Sequence, residues 1–86
     1  MTIGNNFNQP VDNLPQSITD LAFGYNFNRS VDKLPQSINH VVLGYNFNQP
    51  VDNLPQSLTY LEVGNDFTQR IDQLPHLLLE IVQFTQ

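Results

Sequence analysis

Aspartate is the residue type whose spacing in this 86-residue chain most directly suggests chemistry. One set recurs at intervals of 20 residues: Asp12, Asp32, Asp52 and Asp72. If each interval forms one coil, stacked carboxylates about 5 Å apart repel one another by roughly 0.8 kcal/mol in water. A ladder of calcium sites is one interpretation, because calcium prefers carboxylate oxygens. The other is an Asx-turn in which each carboxylate accepts a backbone N–H.

The motif around these aspartates favours the Asx-turn. Calcium-binding repeats bring several oxygen ligands and glycines to each turn, whereas DNLP, at residues 52–55, has one acid and no glycine. We therefore predict that the chain binds no metal ion and no other cofactor.

The sequence offers little for catalysis. His40 and His76 stand at different positions of the 20-residue interval, so one coil per interval places them far apart. Neither has a nucleophile partner or a glycine-rich phosphate loop nearby, and the chain has no cysteine. The sequence predicts that the protein is not an enzyme.

Net charge limits the partners that the chain can bind. The formal charge is −5, and the only basic residues are Arg29, Lys33 and Arg70. A negative field repels phosphate backbones and anionic membranes, so we expect neither nucleic acid nor a membrane as a partner. No run approaches the roughly 20 apolar residues that span a bilayer. The start MTIGNNFNQ lacks the basic and apolar regions of a signal peptide, which predicts a cytoplasmic location.

An internal repeat organises the whole chain. FNQPVDNLPQS occurs at residues 7–17 and again, unchanged, at residues 47–57. With glycine as the first position, a single domain over residues 1–86 divides into repeats at 4–23, 24–43, 44–63 and 64–83. Apolar residues within a repeat are spaced by four and three, which would suit a helix. The prolines exclude that interpretation, because each costs about 3 kcal/mol in a helix interior.

A solenoid, in which each repeat forms one coil, accounts for the pattern instead. Apolar residues fall in columns that recur in every repeat, such as Phe7, Phe27, Phe47 and Phe67, and stacked columns form a core that no single repeat could bury. LTYLEV, at residues 58–63, alternates like a strand. Gly64 then supplies backbone freedom for a turn. Two polar columns follow each glycine. We expect the one that begins at Asn6 to satisfy backbone groups of the adjoining coil, and the one at Asn8 to form turns.

The motif FNQPVDNLPQSLTYLEVG resembles the FNIP repeat, a leucine-rich-repeat variant of amoebae and large DNA viruses, and LTYLEVGND also carries the general leucine-rich-repeat pattern. The resemblance implies a right-handed solenoid of four 20-residue coils with a parallel sheet on its concave face and little or no helix. It implies a protein-binding scaffold, in the host cytoplasm if the chain is viral. FNIP repeats often follow an F-box, so a ubiquitin-ligase adaptor is a further expectation, although no F-box-like segment precedes the repeats in this sequence.

Binding residues are predicted where the four repeats stop agreeing. A scaffold needs a uniform interior but is free to vary the face that it presents; neutral drift on a solvated face would give the same variation. Alternation places the variable residues on the concave strand face: Asp20, Ala22, His40, Val42, Tyr60, Glu62, Glu80 and Val82. Tyr25 and Tyr45 are predicted at its rim. Aromatic and aliphatic side chains with flanking acids suit protein recognition.

The ends of the solenoid are the second candidate surface. Leu77 and Leu79 of the last repeat, with Phe84 directly after it, are apolar residues outside the core columns, and they could either cap the core or contact another chain. The first repeat has ordinary core residues with little before them, so we expect the N-terminal end to be the less protected one. An uncovered strand edge invites pairing. The alternative function is therefore a self-assembling structural module, a homo-oligomer associated through its open ends.

Overall fold

The computed structural model describes residues 1–84 as a stack of coils, each contributing one short strand. The strands are β1 (Asp20–Ala22), β2 (His40–Val42), β3 (Tyr60–Val63) and β4 (Glu80–Gln83). They form one sheet in the order β1-β2-β3-β4, and every pair is parallel. No helix occurs within residues 1–84, so the predicted helix-free parallel repeat fold is confirmed.

The register of the sheet follows the sequence repeat. Asp20 pairs with His40, His40 with Tyr60, and Tyr60 with Glu80, so each step across the sheet is one 20-residue interval. The prolines shape the bend that precedes each strand. The carbonyls of Pro35, Pro55 and Pro75 accept hydrogen bonds from the N–H groups three residues later, at 3.1–3.3 Å.

The core consists of the predicted apolar columns. Leu21, Val41 and Leu61 alternate with the outward residues of their strands and are fully buried. The phenylalanine column stacks in nearly parallel rings, with centroids 6.3, 6.0 and 6.3 Å apart from Phe7 through Phe67. Offset stacking of this kind adds to the free energy that burial contributes. Each ring therefore belongs to a core that only stacked coils can build.

Glycine opens the second, third and fourth coils at points where the backbones of neighbouring coils approach closely. A Cβ added to Gly44 would lie 2.0 Å from the carbonyl oxygen of Gly24, and one added to Gly64 would lie 2.6 Å from that of Gly44. No glycine within residues 1–84 has a positive φ. The expectation that Gly64 supplies unusual backbone freedom is therefore wrong. At Gly24, Gly44 and Gly64 no side chain fits between successive coils.

The two asparagine columns exchange the roles predicted for them. The side-chain oxygen of Asn48 accepts the backbone N–H of Thr68 at 3.0 Å, and that of Asn28 accepts the N–H of Asn48 at 2.9 Å. The other column forms side-chain contacts instead, with Nδ2 of Asn46 donating to Oδ1 of Asn26 at 3.3 Å. Because buried backbone donors need partners, the column that begins at Asn8 stabilises the stack.

Replacing Asn48 with alanine should lower the free energy of unfolding by about 0.5–1.5 kcal/mol, because the N–H of Thr68 loses its acceptor. Asn46→Ala is the matched control, and we expect a smaller loss because its side chain pairs only with another asparagine side chain. Urea denaturation of both variants measures the difference. Equal losses would show that the two columns contribute alike.

Candidate binding face

The outward surface of the parallel sheet, here called the sheet face, carries the residues that differ most between repeats. The strands place an aliphatic residue inward and its neighbours outward, so Leu21 is buried while Asp20 is exposed and Ala22 half-buried. The same alternation places the eight predicted binding residues on this one surface, in two rows across the strands. The first row is Asp20, His40, Tyr60 and Glu80, and the second is Ala22, Val42, Glu62 and Val82. Binding by these residues stays a prediction.

Tyr60 contacts side chains of its own strand and of the neighbouring strand on the sheet face. The rings of His40 and Tyr60 stack with centroids 4.3 Å apart and planes 13° from parallel. The Tyr60 hydroxyl donates a 2.9 Å hydrogen bond to Oε1 of Glu62. Sequence alternation places Tyr60 and Glu62 on the same side of a strand, but it does not reveal this bond. The arrangement holds the Glu62 carboxylate in one orientation.

The same contacts raise the pKa of Tyr60 above its usual value of 10.0. The hydrogen bond to Glu62 is the main cause, followed by partial burial and by the negative charges of Glu62 and Glu80. All of these favour the protonated phenol. Because the folded state holds this proton more tightly than the unfolded chain, the resulting stability is complete below pH 10 and is lost as pH rises through the raised pKa.

Glu62→Gln should lower the pKa of Tyr60 relative to the parent protein, because a neutral amide removes the charge that opposes ionisation. Absorbance of tyrosinate during an alkaline titration measures the pKa. A Tyr25→Phe and Tyr45→Phe background leaves Tyr60 as the only tyrosine that titrates. An unchanged Tyr60 pKa would show that the Glu62 contact is absent in solution.

A depression at one edge of the sheet face joins it to the predicted rim. Tyr25 and Tyr45 stack with centroids 4.6 Å apart and planes 4° from parallel. Tyr45 also lines an open depression of about 260 Å³, together with Val42, Glu62 and Phe84. The sequence places Phe84 with Leu77 and Leu79 at the chain end, whereas the structure brings it beside the sheet face. The sequence repeat did not predict that Phe84 lies beside the sheet face, because Phe84 stands where the other coils have glycine.

The aspartate column does not form the predicted Asx-turns. All four side chains are exposed. The carboxylates of Asp12, Asp32 and Asp52 accept no hydrogen bond from residues 1–84, so the Asx-turn expectation is wrong. Asp72 pairs with Arg70 at 2.6 Å on the surface. Among the described residues, no three histidine or acidic side chains gather into a group that could hold a metal ion.

The histidines occupy separate parts of the coil. His40 lies in β2 on the sheet face, whereas His76 is exposed in the turn after Pro75. His40 and His76 therefore do not lie together in one acid–base site.

The C-terminal end of the solenoid is the less protected one, contrary to expectation. Ile71 is 50% exposed and Ile81 39%, whereas Val11 and Leu21 of the first coil are buried. At the N-terminal end, Thr2 forms a parallel bridge with Ala22, and Ile3 packs against the core. Leu77, Leu79 and Phe84 are themselves exposed and do not cap the core. Gln83 covers part of the end by donating to the carbonyls of Gly64 and Phe67.

The fold and its variable outward face define a protein of the leucine-rich-repeat type, a solenoid with one parallel strand in each coil. The family model described as FNIP Repeat matches residues 7–45, 30–66 and 47–82, and the chain belongs to the FNIP repeat family. Such repeats typically serve as scaffolds without catalytic activity. Within residues 1–84 there is no helix with the length and apolar character needed to cross a membrane.

A solved structure shows the same fold. The crystal structure of CroV588, described as a novel circular LRR protein, matches with a TM-score of 0.86 and 42% sequence identity. The match covers 96% of this chain but 13% of that one, so the chain corresponds to a small part of its solved relative. A comparison with curated proteins gives no match.

Proposed function

We propose that this protein binds a partner protein through the sheet face and has no catalytic role. The observation that carries the proposal is the contrast between the two sides of the strands. The inward residues Leu21, Val41, Leu61 and Ile81 are aliphatic in every coil, whereas the outward row changes from Asp20 to His40, Tyr60 and Glu80. A regular core with a varied outward surface is the arrangement by which solenoid proteins recognise partners.

The chemistry of the sheet face supports protein recognition. Stacked rings of His40 and Tyr60 provide a rigid aromatic surface, and half-buried Ala22, Val42 and Val82 provide aliphatic area beside it. Aromatic anchors surrounded by polar residues are typical of the centres of protein interfaces. We place this activity in the cytoplasm. The family resemblance allows, as one form of it, substrate recognition for a ubiquitin ligase.

Selection of a displayed random-peptide library on the immobilised protein tests the proposal. We expect peptides whose binding weakens at least about tenfold with His40→Ala and Tyr60→Ala together, because anchor residues contribute roughly 2 kcal/mol or more each. The control variant Asp32→Asn with Asp52→Asn changes exposed turn residues away from the strands. Peptides that bind the parent and the double-alanine variant equally would overturn the proposal.

A second candidate function is self-association through the C-terminal end, favoured by its exposed apolar residues. Leu79 is 86% exposed and Leu77 61%. Phe67, Ile71 and Ile81 line a further open cavity of about 320 Å³ at the same end. Apolar side chains gathered at an exposed sheet edge favour pairing with another chain.

Leu77→Ser combined with Leu79→Ser should lower the average mass at high micromolar concentration, because the C-terminal end loses its two most exposed apolar side chains. Sedimentation equilibrium measures this. Tyr60→Ala serves as the control and should leave the mass unchanged, since Tyr60 lies on the sheet face. A parent protein that is strictly monomeric at that concentration would exclude the second function.

A further inference from the structure

The depression beside the sheet face combines a fixed carboxylate with aromatic and aliphatic walls. Its lining includes Glu62, Tyr45, Phe84 and Val42. Tyr60 donates to Oε1 of Glu62, and no hydrogen bond or ion pair to Oε2 occurs within residues 1–84. One carboxylate oxygen is therefore held in place while the other is free to accept.

No lysine or arginine of the chain lies on the strands to neutralise this carboxylate. The N-terminal ammonium of Met1 donates to the carbonyl of Asp20 in β1, whereas Glu62 lies in β3. Arg29 donates to the carbonyl of Asn8, Arg70 pairs with Asp72, and Lys33 is exposed in a turn. Glu80 and Asp20 add further negative charge to the same face. With a net charge of −5, the protein attracts cations and repels anions at this surface.

Carboxylate and aromatic groups together recognise one kind of side chain. A guanidinium or ammonium group forms a charge-assisted hydrogen bond with a carboxylate and is attracted to the faces of aromatic rings within about 6 Å. The methylene stem of arginine or lysine packs on apolar walls while its charged head stays polar. Val42 and Phe84 supply such walls, and Glu62 the acceptor. A purely apolar side chain would leave the free oxygen of Glu62 without a partner, and an acidic side chain would be repelled by it.

We propose that this depression receives an arginine or lysine side chain of the partner protein, paired with the free oxygen of Glu62. The inference rests on the proposed function, because it specifies the chemistry of the partner that docks on the sheet face. The partner segment therefore carries at least one arginine or lysine and contacts the protein beside β2 and β3.

The displayed-peptide selection gives the first test. Peptides that depend on His40 and Tyr60 should be enriched in arginine and lysine relative to the unselected library. Face-dependent peptides without that enrichment overturn this inference and leave the proposed function standing. Peptides that do not depend on the face, or the absence of any peptide above background, overturn both.

Charge-neutral variants give the second test, using a synthetic peptide of the selected sequence. Glu62→Gln keeps the shape of the side chain and should weaken binding roughly 10- to 100-fold, the value of a hydrogen bond between charged groups. Phe84→Leu should weaken it about threefold by removing the ring. Asp52→Asn removes the same charge from an exposed turn and should leave affinity within about twofold.

Three results would contradict the inference. Equal weakening by Glu62→Gln and Asp52→Asn would mean general attraction to an acidic protein. Unchanged affinity of Glu62→Gln would place the basic side chain elsewhere. Unchanged affinity after the peptide's arginines and lysines are replaced by glutamine would show that binding does not depend on a cationic side chain. Thermal unfolding of each variant confirms that it is folded before binding is compared.

Discussion

Replacing Gly44 with alanine is expected to destabilise the fold by about 3 kcal/mol or more. The added Cβ would lie 2.0 Å from the Gly24 oxygen and 2.7 Å from its carbonyl carbon. Both are backbone atoms, so they cannot move aside without separating the two coils. Alanine gains about 0.4–1 kcal/mol by restricting the unfolded chain, which is too little to offset the clash. Thermal unfolding should show a melting temperature lower by roughly 10–25 °C.

Gly4→Ala is the matched control for that loss. Gly4 begins the first coil, and nothing lies within 4 Å of a Cβ added there. The same substitution should therefore be neutral or slightly stabilising. Similar melting temperatures for the two variants would show that the coils are not packed as closely as the structure has them.

The columns of the core could be predicted from the sequence because they depend only on periodicity. An interval of 20 residues that returns phenylalanine and leucine to the same positions leaves few arrangements other than stacked coils. Alternation within each strand then determines which residues point outward, as with Tyr60 and Glu62 on either side of Leu61. The positions on the sheet face therefore followed from the repeat alone.

Local polar geometry could not be predicted in the same way. The columns that begin at Asn6 and Asn8 contain the same residue type two positions apart, and both lie in irregular chain where no alternation distinguishes inward from outward. Side-chain conformation decides the bond between Tyr60 and Glu62. The aspartate column shows the same limit, because Asx-turn propensity predicts hydrogen bonds that the carboxylates of Asp12 and Asp52 do not form.

The exposure of the solenoid ends could not be predicted from the repeat, because it depends on contacts made by residues outside the repeated pattern. Residues 1–3 precede the first complete repeat, yet Ala22 donates to the carbonyl of Met1, and Ile3 donates to that of Ala22. They cover the edge that the repeat pattern alone leaves open. At the other end, Leu77 and Leu79 replace the small polar residues of earlier coils but point away from the core. Hydrophobicity identified these residues as unusual without indicating which way they face.

Phe47→Ala should destabilise the protein by about 3–5 kcal/mol, the usual loss when a buried phenylalanine is truncated. Phe47 is fully buried and has a stacked ring on each side, Phe27 at 6.0 Å and Phe67 at 6.3 Å. Its removal takes away both stacking contacts and leaves a cavity in the middle of the column. Domains of this size have total stabilities of roughly 5–15 kcal/mol, so the loss is a large fraction of the whole.

Phe7→Ala tests whether the loss of stability depends on a residue's place in the phenylalanine column or only on the truncation of a phenylalanine. Phe7 occupies the same place in the first coil but is half-buried and stacks on one ring, that of Phe27 at 6.3 Å. We expect less than about half the loss of Phe47→Ala, since solvent already reaches part of the ring. Urea denaturation of both variants measures the two values. Equal losses would mean that the coils contribute independently, whereas unequal losses follow from a core shared between neighbouring coils.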